Sequence, residues 1–403
     1  MKIRGIAAAF VVALAVVLMA GLAQGGADLL RADRAAATDT QRTSTDTQRA
    51  DAGNGTEIEL RTVSFNMCGG LCNKGGTGKL PLIVDEISEF TPHLVLLQEV
   101  CWPQYEWFKN TYAGTYDFGY TPLLTNYTGC GASDCSVNMD SDPANDDKRC
   151  WIGQVVGARG VLGSKDEIPL GGERYQIKQK DGGPVEPVSP ARTFNALCYD
   201  ATLDGVSRKV KGCSVHLRAF ADDKLVNERA RVAQAANLAS ALDQDIAAGK
   251  VVVVGGDFNT LPQPGKTPAL DSFYRASAAP GGGIGRFYEA DHDDTAYWEK
   301  PTPLCAVGTD TSCRTGESTI VNLSPLEGDK RNSKIDYIFF SETTAHATLS
   351  GDAIPMYLKD AAGTVITHVE AEAAKGTDGK YLKVSEHAFY RGLVTVTATS
   401  PVS

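Results

Sequence analysis

The chain has 403 residues, 42% apolar and 22% charged, with a formal net charge of −10, an ordinary globular composition. The acidity argues against tight, non-specific binding to nucleic acid, which usually needs a basic surface. It is compatible with a catalyst that meets a polyanionic substrate through a divalent cation.

Lys2 and Arg4 precede an apolar run from Ile6 to Leu22, with small residues following. This pattern predicts a secretory signal peptide over residues 1–26, whose removal would take the net charge from −10 to −12. Residues 27–57 are polar, repeat Thr-Asp-Thr-Gln-Arg at 38–42 and 45–49, and have little to bury. They read as a disordered leader. The remainder, 58–403, has no internal Pro/Gly/Ser linker and is expected to be one catalytic domain. Ten cysteines fit an exported, oxidised protein. Close spacing suggests Cys130–Cys135, Cys198–Cys213 and Cys305–Cys313, leaving Cys68, Cys72, Cys101 and Cys150 to pair among themselves.

Residues 57–65 alternate apolar and polar as a half-buried strand that ends at Asn66. Leu80, Ile83, Val84, Ile87 and Phe90 recur at helical spacing. After Pro92, residues 93–99 form a buried strand ending in Glu99. The aromatic-rich stretch Trp102 to Tyr127 suits core packing, with contact to a membrane or a ring as its other use. Residues 153–163 read as a strand pair and 165–190 as an excursion. Residues 191–201 and 206–216 read as two further strands, the second ending at His216. Residues 224–248 predict an amphipathic helix stopped by Gly249. Next comes Val251-Val-Val-Val-Gly-Gly-Asp-Phe-Asn259, a buried strand whose glycines are expected to turn the chain and present Asp257 and Asn259. A glycine-rich loop at 279–285 is expected to be mobile. A strand from 334 to 340 carries Asp336 near its start, and a last strand from 388 follows Ser385-Glu386-His387.

Polar residues thus stand at one end of five or six strands: Asn66, Glu99, His216, Asp257 with Asn259, Asp336, and Glu386 with His387. Carboxylates, two imidazoles and two amides suit metal-assisted hydrolysis of a phosphate ester. Hard oxygen donors such as Glu99 and Glu386 hold Mg²⁺, Ca²⁺ or Mn²⁺, and imidazoles move protons. No Gly-x-Ser-x-Gly elbow, Walker loop or dinucleotide fingerprint competes with this reading.

Ser64-Phe-Asn66, Leu97-Gln-Glu99, Arg159-Gly160, Ser214-Val-His-Leu217, Gly256-Asp-Phe-Asn259, Lys334-Ile-Asp-Tyr-Ile338 and Ser385-Glu-His387 occur in that order. The series resembles the endonuclease/exonuclease/phosphatase (DNase I-like) superfamily over about residues 58–397. The resemblance implies a four-layer α/β/β/α sandwich of two mixed sheets, with the site at the sheet edges. It also implies metal ligation by Glu99, Asn66 and Glu386, and His216 and His387 as an acid–base pair. Asp336 would hold an imidazole, Asp257 would orient the attacking water, and Asn259, Asn66 and Arg192 would contact phosphate. Two positions depart from the family pattern: Cys68 stands where some relatives carry Asp, and Glu386 where Asp is usual.

A secreted, monomeric, metal-dependent endonuclease acting on extracellular nucleic acid is the leading expectation. A basic rim of Arg159, Arg192 and Arg218 would mark such an enzyme. Hydrolysis of a phospholipid or small phosphoester, with transient membrane contact, is the alternative. A non-catalytic binding relative is the lesser one.

Overall fold

The computed structural model describes residues 57–125, 127–131, 148–171, 176–177, 186–187, 194–219, 224–262, 268–275, 283–292, 314, 316–320, 334–343, 349–354 and 385–397. The expected signal peptide, the leader up to residue 56, Arg192, Cys135, Cys305 and Cys313 lie outside them. All described elements belong to the compact unit Asn54–Ser403.

In chain order the elements are β1 (Glu57–Asn66), α1 (Leu80–Phe90), β2 (Leu94–Cys101), α2 (Trp102–Thr111) and β3 (Asp117–Leu124). Next come β4 (Ile152–Ala158), β5 (Gly160–Pro169), and a two-residue ribbon of β6 (Gln176–Ile177) and β7 (Glu186–Pro187). After these stand β8 (Asn195–Leu203), β9 (Val210–His216), α3 (Lys224–Ala247) and β10 (Val251–Asp257). The chain closes with β11 (Phe287–Glu289), β12 (Asp336–Ser341), β13 (Leu349–Ile354) and β14 (Phe389–Thr397). One six-stranded sheet has the order β13-β14-β1-β2-β4-β3 and the other β11-β12-β10-β9-β8-β5. Both are mixed: β1 with β2 and β9 with β10 are parallel pairs, and the remaining pairs are antiparallel.

Strand alternation builds the layers. Val251 and Val253 point inward to a core between the sheets that includes Leu94, Leu96, Val156, Leu197, Ile338 and Val394. Val252 and Val254 point outward, where Leu238, Leu242 and Ile246 of α3 cover them. On the other outer face, Leu80, Ile83 and Ile87 of α1 and Tyr105 and Phe108 of α2 pack on Val63, Phe65, Val95 and Leu97. Each fully buried aliphatic or aromatic side chain contributes roughly 1.5–3 kcal/mol, so α1's three anchors suffice to dock a helix too short to hold by itself. The four-layer sandwich expected from the sequence is the observed architecture.

Several local expectations change. The glycines of the β10 run do not make a turn; both lie within the strand. A Cβ on Gly255 would sit 2.7 Å from Leu96 of the facing sheet, and one on Gly256 would sit 1.9 Å from the Val215 carbonyl oxygen. These glycines permit close approach of backbones, and the turn itself falls at Asn259, with φ of 50°. The aromatic stretch contains helix α2, entered directly from β2, with Gln104 Oε1 accepting from the Cys101 N–H. Its rings are packing groups: Trp102 lies 5.1, 5.2 and 5.5 Å from Tyr105, Tyr120 and Trp151. Strand β5 continues through Lys165 to Pro169, where an excursion was expected. Residues 283–285 of the glycine-rich loop are tied down, their N–H groups donating to Arg275, Asp271 and Tyr274 carbonyls.

Cys198–Cys213 is present as expected, across β8 and β9. Cys68–Cys72 falls within the expected set, whereas Cys130 pairs with Cys101. The 310 turn ending at Cys130 brings its sulfur to the end of β2, so a partner 29 residues away is nearer to hand than sequence spacing suggests.

Candidate active site

The polar strand ends meet because of register. In one sheet the parallel pairing of β9 with β10 sets His216 beside Asp257, and the antiparallel pairing of β10 with β12 sets Asp336 on Asp257's other side. In the facing sheet, β1 and β2 run parallel with Asn66 beside Gln98, so Glu99 follows immediately. His387 arrives two residues ahead of β14, which pairs with β1.

Asn66 joins the two sheets. Its Nδ2 donates to Glu99 Oε1 at 3.2 Å and to Asp257 Oδ2 at 3.1 Å, although Asn66 and Asp257 are 191 residues apart. Asp257 Oδ2 also faces both imidazoles, 3.4 Å from His216 Nε2 and 3.8 Å from His387 Nε2. His216 Nε2 lies 3.8 Å from Glu99 Oε1. His387 Nδ1 lies 2.9 and 3.0 Å from the two oxygens of Asp336.

Burial and charge compete at each group. Burial pulls His387 down, but the Asp336 and Asp257 charges and the hydrogen bond to Asp336 lift it to about 10. Burial pushes Asp336 up against that pull, so the two behave as a unit sharing one proton. Burial also pulls on His216, and the Asp257 hydrogen bond and charge, with Glu99 behind, overcome it and raise the imidazole. Asp257 is pushed up by burial, yet the His387 and His216 charges and the Asn259 N–H hold it below the ordinary carboxylate range.

Two backbone features aim these groups. Glu99 has φ of 54°, an uncommon left-handed conformation for a non-glycine residue, at a register shift in β2 between Leu97 and Val100. Asn259, also left-handed, donates its N–H to Asp257 Oδ1 at 2.8 Å and its Nδ2 to the Leu217 carbonyl at 3.2 Å. The amide expected to touch phosphate therefore also straps the ends of β9 and β10 together.

The other expected residues fall out differently. Glu386 is exposed, and the acidic and imidazole ligand atoms converging within 4.8 Å belong to Asp257, Asp336 and His387. Within that trio Nδ1 of His387 is engaged by Asp336, so we read it as an imidazole–carboxylate pair beside Asp257 rather than a metal cage. Glu99, with its side chain 28% exposed, presents a carboxylate more open than those of Asp257 and Asp336. Asn66 Oδ1 accepts from the Cys68 N–H and keeps a second lone pair. With the Asp336–His387 unit neutral, Glu99 and Asp257 leave an excess of negative charge. The donor set thus fits a hard divalent cation. Arg159 is not on this rim: it bonds the Thr91 carbonyl and the His93 ring, at the opposite end of β2 from Glu99. Burial, with Arg159 and Arg61, pushes that His93 down to about 4.

Sequence reasoning missed three hydroxyls and one amide. Ser385 Oγ donates to the Asn66 carbonyl at 2.6 Å and accepts from the His387 N–H. Thr319 Oγ1 accepts from the N–H groups of Ile335 and Asp336, each at 3.0 Å. Gln98 Nε2 donates to Ser214 Oγ at 3.0 Å, which donates to the Leu97 carbonyl at 2.9 Å. Ser214 and Ser385 lie inside the recognised motifs; Thr319 lies in a stretch with no periodic signal.

Comparison with known proteins places the chain in a family. Residues 63–357 match the model of the Endonuclease/Exonuclease/phosphatase family. No curated protein matches the chain. Among solved structures, an endonuclease/exonuclease/phosphatase family protein from Bacteroides thetaiotaomicron is 13% identical, with TM-score 0.50, covering 85% of this chain and 99% of that one. The human Nocturnin catalytic domain is 14% identical with TM-score 0.49, over 85% and 97%. A mannosyl-6-phosphatase from Bacteroides thetaiotaomicron VPI-5482 is 15% identical with TM-score 0.48, over 84% and 99%. On the family match, which spans most of the chain, this protein belongs to the Endonuclease/Exonuclease/phosphatase family.

Proposed function

We propose that the protein is a secreted, divalent-metal-dependent phosphoesterase, and specifically an endonuclease of extracellular nucleic acid. The observation that carries the chemistry is the cross-sheet contact in which Asn66 bridges Glu99 and Asp257, with both imidazoles around the same Asp257 oxygen. Glu99 and Asn66 would hold Mg²⁺, Ca²⁺ or Mn²⁺, which when bound neutralises a non-bridging phosphoryl oxygen. Asp257, ionised and fixed by Asn259, is suited to accept a hydrogen bond from the attacking water. His387, kept protonated by Asp336, donates to a phosphoryl oxygen where charge builds up. His216, also raised, is placed to give a proton to the leaving oxygen. This shifts the expected division of labour: with both imidazoles raised, water activation falls to Asp257.

Nucleic acid is favoured by exposed Lys74, Lys148 and Arg149, on loops packed around the Cys68–Cys72 turn. Lys148 lies 4.8 Å above the Trp102 ring and 5.5 Å above that of Trp151, so the packed rings hold one cation of this group in place. Leu71, 60% exposed in the same turn, favours a second reading with a lipid or other apolar phosphoester. The three disulfides among the described residues are compatible with an extracellular protein. Among the described residues no helix is long and apolar enough to cross a membrane. The test offers plasmid DNA, RNA, sphingomyelin and a small aryl phosphodiester to the oxidised protein. Metal-dependent nicking of DNA supports the nuclease reading, and turnover of lipid with intact DNA replaces it by the second.

A further inference from the structure

Glu99 holds a backbone conformation that a non-glycine residue adopts only when its surroundings impose it. The carbonyls around its bulge are each satisfied from outside β2. Leu97 O accepts from Ser214 Oγ at 2.9 Å, Gln98 O from the Met67 N–H at 3.0 Å, and Glu99 O from the Gly69 N–H at 2.9 Å. Gly69 is required there, because a Cβ would lie 2.3 Å from Glu99 O and 2.2 Å from Gln104 Oε1. Its neighbour Cys68 donates its N–H to Asn66 Oδ1 at 3.0 Å, which leaves Asn66 Nδ2 facing Glu99 and Asp257.

The segment that supplies these donors is a small closed turn. The Cys68–Cys72 disulfide closes it, the Cys72 N–H donates to Cys68 O, and Asn73 Nδ2 donates to the Met67 and Cys68 carbonyls. Cys68 itself is left-handed, with φ of 47°. Gln104 clamps the turn from α2 through the Gly69 and Gly76 carbonyls. The turn contributes little to the outer core beyond Met67, so its bonds are spent on orientation rather than burial.

We propose that the disulfide-closed turn Cys68–Cys72 is a positioning device for the active site. It sets the Glu99 backbone through Gly69 and the Asn66 amide through Cys68. This rests on the phosphoesterase reading for its kinetic consequence, and on the cation-binding fit of Glu99 and Asn66 for its second readout. Loss of the bridge frees the turn, and a displacement of about 1 Å at a reacting group costs roughly 10²-fold in rate.

The test is the Cys68→Ser/Cys72→Ser double variant of the full oxidised chain, with Cys198→Ser/Cys213→Ser as the comparison. Three quantities are read: kcat and KM on an aryl phosphodiester, Mn²⁺ affinity from the electron spin resonance of free Mn²⁺, and Tm. The first variant should lose about 10²-fold in kcat with KM within about threefold, and should bind Mn²⁺ about tenfold more weakly, as loss of a supporting shell does. The comparison variant, which opens a longer loop of 15 residues in sequence, should lose more Tm and keep kcat and Mn²⁺ affinity within about twofold. Gly69→Ala keeps the disulfide and should reproduce the kcat and Mn²⁺ losses, which covers the case of a double variant that does not fold. Unchanged kcat and Mn²⁺ affinity in the Cys68/Cys72 or the Gly69 variant overturns the proposal. A wild-type protein that binds Mn²⁺ but turns over no phosphoester sinks the functional reading alone, since positioning is then still read from the affinities. A wild type that binds no Mn²⁺ overturns the positioning proposal too.

Discussion

Replacing Asp336 by Asn tests the charge balance at the centre of the site. His387 is raised from 6.5 to about 10, and Asp336 is the largest of the influences raising it. Each pH unit of such displacement is worth 1.36 kcal/mol, so the raising corresponds to about 5 kcal/mol between the two protonation states. An opposite charge within about 4–6 Å accounts for roughly 1–3 pH units, so Asp336→Asn should lower the His387 pKa by that much, a few kcal/mol at most (~1–4). The sign follows from linkage. A raised imidazole stabilises the folded chain fully below about pH 6.5, and that contribution is lost as pH rises through about 10. Proton NMR titration of the imidazole CH signals, assigned by His→Gln variants of the six histidines, reads the pKa directly. Denaturant unfolding at pH 6 and pH 9 reads the energy; the gap between wild type and variant should be larger at pH 6. A His387 pKa within half a unit of wild type in Asp336→Asn would refute the pairing as the source of the shift.

Lys334→Met should cost about 3–5 kcal/mol in denaturant unfolding, because it strands two buried carboxylates; Lys334 Nζ lies 2.8 Å from Asp291 and 3.2 Å from Glu289, all three essentially inaccessible. Gly256→Ala should destabilise by about 1–3 kcal/mol or block folding, given the 1.9 Å approach to Val215 O, and the midpoint of a urea curve reports it. Glu99→Gln should reduce kcat/KM by about 10²-fold or more, whereas Glu386→Asp should stay within about threefold, since Glu386 is exposed and outside the Asp257–Asp336–His387 group. Asp257 is depressed, so its contribution to stability is present above about pH 4 and disappears as pH falls further; Asp257→Asn should flatten that acid limb of a stability–pH curve.

The strands that carry the site could be read because each is an apolar run closed by a polar residue. Val251 to Asp257 is the clearest, with inward and outward valines now seen to serve two different cores. Asn66, Glu99, His216, Asp257 and His387 converge for the same reason: strand ends in register are a one-dimensional signal. What was not legible depends on partners chosen in three dimensions. The second half of β5 is an exposed, polar edge, so no apolar alternation announced it. Helix α2 begins without a loop after β2, and its aromatic spacing is equally that of a packed loop. Cys101–Cys130 defeated a rule based on nearness in sequence. The buried Glu289–Asp291–Lys334–Tyr390 network, in which Tyr390 donates to Glu289 at 2.7 Å, joins β11 and β14 of different sheets. No single stretch of sequence encodes it. Glu386 was assigned from its place in a motif, and one peptide unit separates an exposed position from the His387 that faces the site.

The most direct test is hydrolysis of an aryl phosphodiester and of plasmid DNA by the purified, oxidised chain, with Mg²⁺, Ca²⁺ or Mn²⁺ and with EDTA. Wild type, His216→Ala and Asp257→Asn would be compared. Turnover is expected with metal and none with EDTA, with losses of at least about 10²-fold in both variants. Turnover that persists in EDTA, or that survives removal of Asp257, would contradict the proposed chemistry.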